Sequence, residues 1–178
     1  MLEHYTTAII LDVEDRDDLD RMITLYTKDF GRLKARAKSV KKITSKLAGH
    51  LMPGNIVSIR LIERGEGGSF QVLDALSDRP PKISPELMKF IDILNRASPL
   101  GLPDLGLWYE AERAISRGDF SPTRYRRILM GLGIDVDSAV CAECGSSRIA
   151  YFVPGDVTFL CADSVKKMGI SEYEIVKI

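Results

Sequence analysis

The chain has 178 residues, 45% apolar and 28% charged, with 25 basic side chains balanced by 25 acidic ones. That length allows one domain or two small ones, and the composition excludes a disordered chain. No apolar run approaches the roughly 20 residues a membrane helix needs. The opening MLEHYTTAIILDVED lacks the basic start and cleavage site of a secretory signal. Three cysteines, two of them in a C-x-x-C pair, fit a reducing compartment and a metal better than disulfides, so a cytoplasmic location is expected.

Tyr5–Val13 is dominated by β-branched residues and reads as a strand. Glu14–Asp20 carries five acids interrupted by Arg16. It lacks the glycine and distal glutamate of a calcium loop, so it reads as a solvated connection. Arg21–Tyr26 alternates two faces and makes a second strand, and Asp29–Phe30–Gly31 supplies a turn with glycine free to take a positive φ. Arg32–Lys38 alternates basic and apolar residues. Period two is the period of a strand, so Arg32, Lys34, Arg36 and Lys38 should project from one face.

Ser39–Met52 reads as a loop with a short helix, ending at Pro53–Gly54. Asn55–Ile62 is a fourth strand, Gly65–Gly68 a hairpin turn, and Ser69–Leu76 a fifth strand. Five short strands with a helix-like interruption after the third match an OB-type barrel, with an SH3-like barrel as the competing topology. The character changes at Arg79–Pro80–Pro81. Ser84–Pro85 opens a helix with Leu87, Phe90, Ile91 and Leu94 on one face, and Leu105–Arg117 and Ser121–Met130 read as two more. The expected class is therefore α+β and multidomain. Residues 1–78 form the barrel, and residues 79–178 form a small helical domain carrying a zinc-ribbon-like segment at about 136–165.

Between Lys28 and Lys46 stand eight basic residues (Lys28, Arg32, Lys34, Arg36, Lys38, Lys41, Lys42, Lys46) and one acid, Asp29. A neutral chain that gathers a local +7 in one strand–turn–strand unit is either presenting a face to a polyanion or merely solvating that face. The one-sided alternation favours binding. Tyr26 and Phe30 in the same hairpin offer rings for unstacked bases, although Phe30 fits a core position equally well.

Cys141-Ala-Glu-Cys144 is followed, after sixteen intervening residues, by Cys161-Ala-Asp163-Ser164. A C-x-x-C turn aims two thiolates at one tetrahedral ion, and a second turn at this separation usually completes the shell. Here Ser164 stands where the fourth cysteine would be. Three readings remain open. Zinc is held by Cys141, Cys144 and Cys161, with Asp163, water or a distant group as the fourth ligand; or the ribbon folds without metal; or the C-x-x-C is a redox pair, though no thioredoxin-like βαβ unit surrounds it. His4 and His50 become ligands only if the barrel folds back onto this segment. No Walker P-loop, H-E-x-x-H or G-x-S-x-G motif is present, and the glycines of 65–68 lie between strands. Nothing in the residues argues for an enzyme.

The stretches D-R-M-I-T-L-Y-T-K at 20–28, F-G-R-L at 30–33, A-R-A-K at 35–38 and S-K-L-A-G-H-L-M-P-G at 45–54 resemble the RecO family of bacterial recombination mediators. The order of barrel, helices and late C-x-x-C…C is similar too. The resemblance implies a non-enzymatic protein that binds single- and double-stranded DNA and anneals complementary strands. With a RecR-like partner, it would help load the recombinase onto DNA coated by single-strand-binding protein, whose tail is an implied partner; a nucleoid-associated location is also implied. The chain departs from the family in three places: the helical region is short, Ser39 replaces a glycine usual after the A-K step, and the last C-x-x-C is reduced to Cys161 and Ser164. The alternatives are an RNA- or ribosome-associated OB/zinc-ribbon protein and an adaptor whose basic face docks an acidic peptide.

Overall fold

Strand propensity and alternation build the first half. In the computed structural model, which describes residues 2–65, 69–78 and 80–178, five strands form: β1 (Leu2–Asp15), β2 (Arg21–Thr27), β3 (Gly31–Ala37), β4 (Ile56–Arg64) and β5 (Ser69–Leu76). They close into a barrel in the order β1-β2-β3-β5-β4. All neighbours are antiparallel except β3 and β5, which run parallel through Ala35–Phe70, Arg36–Gln71 and Ala37–Val72. This circuit is OB-like and replaces the SH3-like alternative. Its interior is filled by inward-facing residues of every strand, including Ala8, Ile10, Ile23, Leu25, Leu33, Val57, Leu61 and Val72. The hairpin turn expected at 65–68 lies, beyond Gly65, outside the described residues.

One expected element is missing. The Ser39–Met52 segment forms successive turns rather than a short helix, with a single helical-type bond from Leu51 N to Leu47 O at 3.1 Å. Ser39 takes a left-handed conformation (φ 53°), and Thr44, Ser45 and Gly49 favour turns over helix propagation. Val40 and Leu51 tuck into the barrel core and hold the loop against it.

Three helices follow where the periodicity places them: α1 (Pro85–Ala97), α2 (Leu105–Arg117) and α3 (Pro122–Gly131). Ser84 and Asp104 cap the first two by accepting from Leu87 N and Leu107 N, which satisfies amides that have no partner inside the helix. Gly118 ends α2 in the left-handed conformation. The remaining chain forms a small lobe with strands β6 (Tyr151–Val153), β7 (Thr158–Leu160) and β8 (Val176–Lys177) in the order β7-β6-β8, plus helix α4 (Ala162–Met168). No helix among the described residues is long and apolar enough to cross a membrane.

The barrel wall is shared. Ala8 and Ile10 of β1 face the barrel interior, while Ile9 and Leu11, together with Tyr26 of β2, join the core formed by α1, α2 and α3. Leu11 is the extra residue of a bulge between the Ile10–Leu25 and Asp12–Thr24 pairs. Phe152, Phe159 and Val176 of the terminal lobe enter the same helical core. Close backbone contact seals the junction. A Cβ on Gly31 (φ 64°) would lie 2.3 Å from the Leu102 carbonyl oxygen, so only glycine fits there.

Candidate nucleic-acid interface and metal centre

The alternation in β3 holds: Leu33, Ala35 and Ala37 are buried, and Arg32, Lys34 and Arg36 point outward. What meets those outward charges divides the eight basic residues into three groups. At the Tyr26 end the face is covered by helices. Arg32 donates from Nη1 to the Asn95 carbonyl in the last turn of α1, where a cation complements the helix dipole. Lys28 Nζ lies 5.3 Å from the centre of the Tyr109 ring.

At the other end, the acidic β1–β2 connection folds over the strand. Lys34 pairs with Glu14 at 3.1 Å, Arg36 with Asp17 at 3.1 Å and Asp20 at 2.6 Å, and Lys41 with Asp15 at 2.9 Å. The connection expected to be merely solvated is therefore a counter-charge. Between residues 14 and 46 the chain carries ten basic and six acidic side chains, so the patch is less positive than the +7 of residues 28–46 implies. Asp20 also accepts from Ser39 N at 2.7 Å. That backbone bond, and then Arg36, hold its carboxyl below the usual range. Asp15 is lowered by Lys41 and then Arg21. The exposed pairs of Glu14, Asp15 and Asp17 each contribute only about 0.2–1 kcal/mol, so that part of the acidic run fastens weakly, whereas Asp20 is buried and also held by Ser39 N.

The third group is Lys38, Lys42 and Lys46. All three are exposed, and among the described residues none has an ion-pair partner. They lie on the turns that replace the expected helix. Of the two aromatic rings, one is withdrawn from the surface and the other is half-buried. Tyr26 is fully buried and stacks on Trp108 with 6.1 Å between centroids. Phe30 packs on the barrel core and against His4 at 4.9 Å. Sequence reasoning missed this covering because α2 comes some eighty residues later.

The second constellation lies in the terminal lobe. Cys141 N bonds to Ser146 O and Gly145 N to Cys141 O, both at 2.8 Å, folding the C-x-x-C into a tight turn that docks on β7 through Ala142 N and Phe159 O. Cys161 precedes α4. The three sulfurs lie within 4.8 Å of one another, and Cys144 and Cys161 are 3.7 Å apart. A zinc–sulfur bond of about 2.3 Å makes a tetrahedral edge of about 3.8 Å, so this spacing suits one metal ion. It is far longer than the about 2.05 Å of a disulfide, and all three cysteines are free.

Asp163 is exposed and stands outside this group. Buried Ser164 takes the place beside the sulfurs instead, with its Oγ 3.3 Å from the sulfurs of both Cys141 and Cys161. The first turn of α4 explains the exchange, because Ser164 points inward and Asp163 to solvent. The Ser164 hydroxyl, and then the Cys161 backbone, lower the Cys141 thiol to about 6 and favour the thiolate a metal requires. His4 bonds Glu63 at 3.1 Å and His50 bonds Ser77 at 2.9 Å. Neither histidine joins the sulfurs.

Residues 1–77 match the family model described as "Recombination protein O N terminal". The barrel is similar to the N-terminal domain of RecO proteins. A "DNA repair protein RecO" of Syntrophobacter fumaroxidans is 37% identical over 60 residues, covering 34% of this chain and 24% of that protein. A "DNA repair protein RecO" of Dehalococcoides mccartyi is 48% identical over 46 residues, covering 26% of this chain and 18% of the relative. The likeness to these RecO proteins thus spans about a quarter or less of their lengths.

Proposed function

We propose that this chain is a non-enzymatic DNA-binding protein of repair and recombination, acting in the cytoplasm at the nucleoid. The observation that carries the reading is a RecO-type barrel bearing three exposed lysines, Lys38, Lys42 and Lys46, on one turn segment, none of them with an ion-pair partner among the described residues. A segment of exposed lysines contacts phosphates irrespective of sequence, which suits a protein that must engage any strand. Lys34, Arg36 and Lys41 join the interface as phosphates displace the weakly held acidic run. Lys28 and Arg32 lie at its helical border.

The finer roles follow from the RecO resemblance. They are binding of single- and double-stranded DNA, annealing of complementary strands, and loading of the recombinase with a RecR-like partner on DNA coated by single-strand-binding protein. In the terminal lobe Cys141, Cys144 and Cys161 hold a zinc ion, whose chemistry there is structural cross-linking of the two turns.

A salt titration of binding to single-stranded DNA and to RNA of equal length tests the reading. Replacing Lys38, Lys42 and Lys46 by alanine should weaken binding regardless of base sequence. It should flatten the slope of log K against log salt by about 0.7 per lost contact on single strands. Unchanged affinity and slope in a folded variant would remove this loop from the interface. Clear preference for structured RNA would favour the ribosome-associated alternative.

A further inference from the structure

Resting on the reading that the three cysteines hold a metal, we infer that the fourth position of that metal is closed by the Ser164 hydroxyl and not by a carboxylate. Three observations converge. Ser164 is buried, at 4% exposure, while the neighbouring Asp163 faces solvent. Its Oγ lies 3.3 Å from two of the three sulfurs. With zinc–sulfur and zinc–oxygen bonds of about 2.3 and 2.0 Å, a tetrahedron places its oxygen about 3.5 Å from each sulfur, close to the two distances the hydroxyl makes. Finally, the 3.7 Å Cys144–Cys161 separation is already that of a filled tetrahedron.

The surroundings shape what such a site does. An open depression of about 510 Å³ lies over it, lined by Cys144, Arg148, Cys161, Asp163, Ser164 and Lys167 among others. Cys144 is the exposed thiol on that side. Structural zinc sites are normally closed by four strong donors. Here a neutral hydroxyl, a weaker donor than thiolate, completes the shell from the buried side, while Cys144 is exposed to the depression. The metal is accordingly held less tightly than in a four-cysteine ribbon, and small thiols or chelators reach it through the depression.

Cobalt(II) exchanged into the full-length protein reads the donor set directly, because thiolate-to-cobalt charge transfer in the near ultraviolet grows with the number of thiolates. Wild type should show three-thiolate absorption in a tetrahedral field, and Asp163→Ala should leave that spectrum unchanged. Ser164→Cys should raise the charge transfer to the four-thiolate level and slow metal loss to a chelator. Ser164→Ala should keep three thiolates but lose metal faster.

Loss of tetrahedral absorption in Asp163→Ala, or a three-thiolate spectrum in Ser164→Cys, overturns the assignment while leaving the metal reading intact. If no cobalt or zinc enters wild type, the metal reading itself falls. Uptake by Ser164→Cys alone would then mark a site that has lost its ion together with its fourth cysteine.

Discussion

The barrel and the cysteine lobe are held together by different means, and the contrast separates what burial can do from what it cannot. The barrel interior is apolar on all sides, with Ile10, Ile23, Leu25, Val57 and Leu61 fully or nearly fully buried. The small cluster around the cysteines contains only Cys141, Leu160 and Cys161 as buried members. Its larger aromatics, Phe152 and Phe159, belong to the helical core instead. A lobe with so little core of its own needs a cross-link, whereas the barrel needs none.

The sharpest way to break this contrast is to remove the link. Cys161→Ala, or prolonged chelation, should strip the metal and loosen residues 141–178 while the barrel keeps its amide dispersion. Zinc analysis should give about one ion per wild-type chain and none in the variant. Structural zinc contributes roughly 10 kcal/mol or more in isolated zinc-finger peptides. An unchanged melt after metal loss would show that the lobe holds by packing alone.

Within the barrel, Leu25→Ala should cost about 2–5 kcal/mol by leaving a cavity, measured by denaturant unfolding. It should leave zinc content unaltered. Metal loss in that variant would mean the two regions are not separable.

Charge offers a smaller effect on the same contrast. On the proposed reading, Asp15→Asn with Asp17→Asn should free Lys41, leave Arg36 held by Asp20 alone, and tighten DNA binding up to a few-fold, the equivalent of about 0.2–1 kcal/mol. The salt dependence should steepen, the opposite of the lysine substitutions. Mutation is needed because pH releases these contacts only in strong acid. The lowered carboxyls of Asp15 and Asp20 contribute stability that is fully present above the unfolded value of about 3.9 and lost as pH falls through their folded values.

At the other extreme, burial and then the charge of Asp104 push the Tyr26 hydroxyl up to about 12. Its contribution is fully present below the unfolded value of about 10 and is lost as pH rises toward 12. Wild type should therefore lose stability in that window, and Tyr26→Phe should lose less, as followed by thermal melts.

The smallest effect concerns the Ser39 backbone. Ser39→Gly should remove left-handed strain of about 1–2 kcal/mol, partly offset by the freedom glycine gains in the unfolded chain. A net gain below about 1 kcal/mol is expected.

Elements with a period could be read from the chain. The alternation of Arg32–Lys38, the Ser-Pro helix starts at Ser84–Pro85 and Ser121–Pro122, and the cysteine spacing all depend on near neighbours in sequence. The strands of 151–153, 158–160 and 176–177 were not legible, since two or three residues cannot display a period. Nor was the fate of the basic face. Nothing in residues 32–38 shows that Glu14, Asp17 and Asp20 will lie across them, or that α1 will receive Arg32. The cysteine site was legible as to its three sulfurs. Its fourth neighbour was not, because whether Asp163 or Ser164 turns inward depends on how the first turn of α4 sits on the lobe.

β1 gives alternate residues to two cores, and this bears on the order in which the molecule can assemble. Residues 2–9 pair with residues 56–63, a separation of 47 to 61 positions, so closing the barrel means first overcoming the entropy of a long loop. The surface on which α1 and α2 condense consists of Ile9, Leu11 and Tyr26, presented together once β1 and β2 are paired. The helices can flicker in and out in isolation, yet their docking waits for that wall. Folding should therefore show barrel formation in the rate-limiting step, with mutations at Ile10 or Leu25 slowing refolding and mutations at Ile93 or Ala111 mainly speeding unfolding.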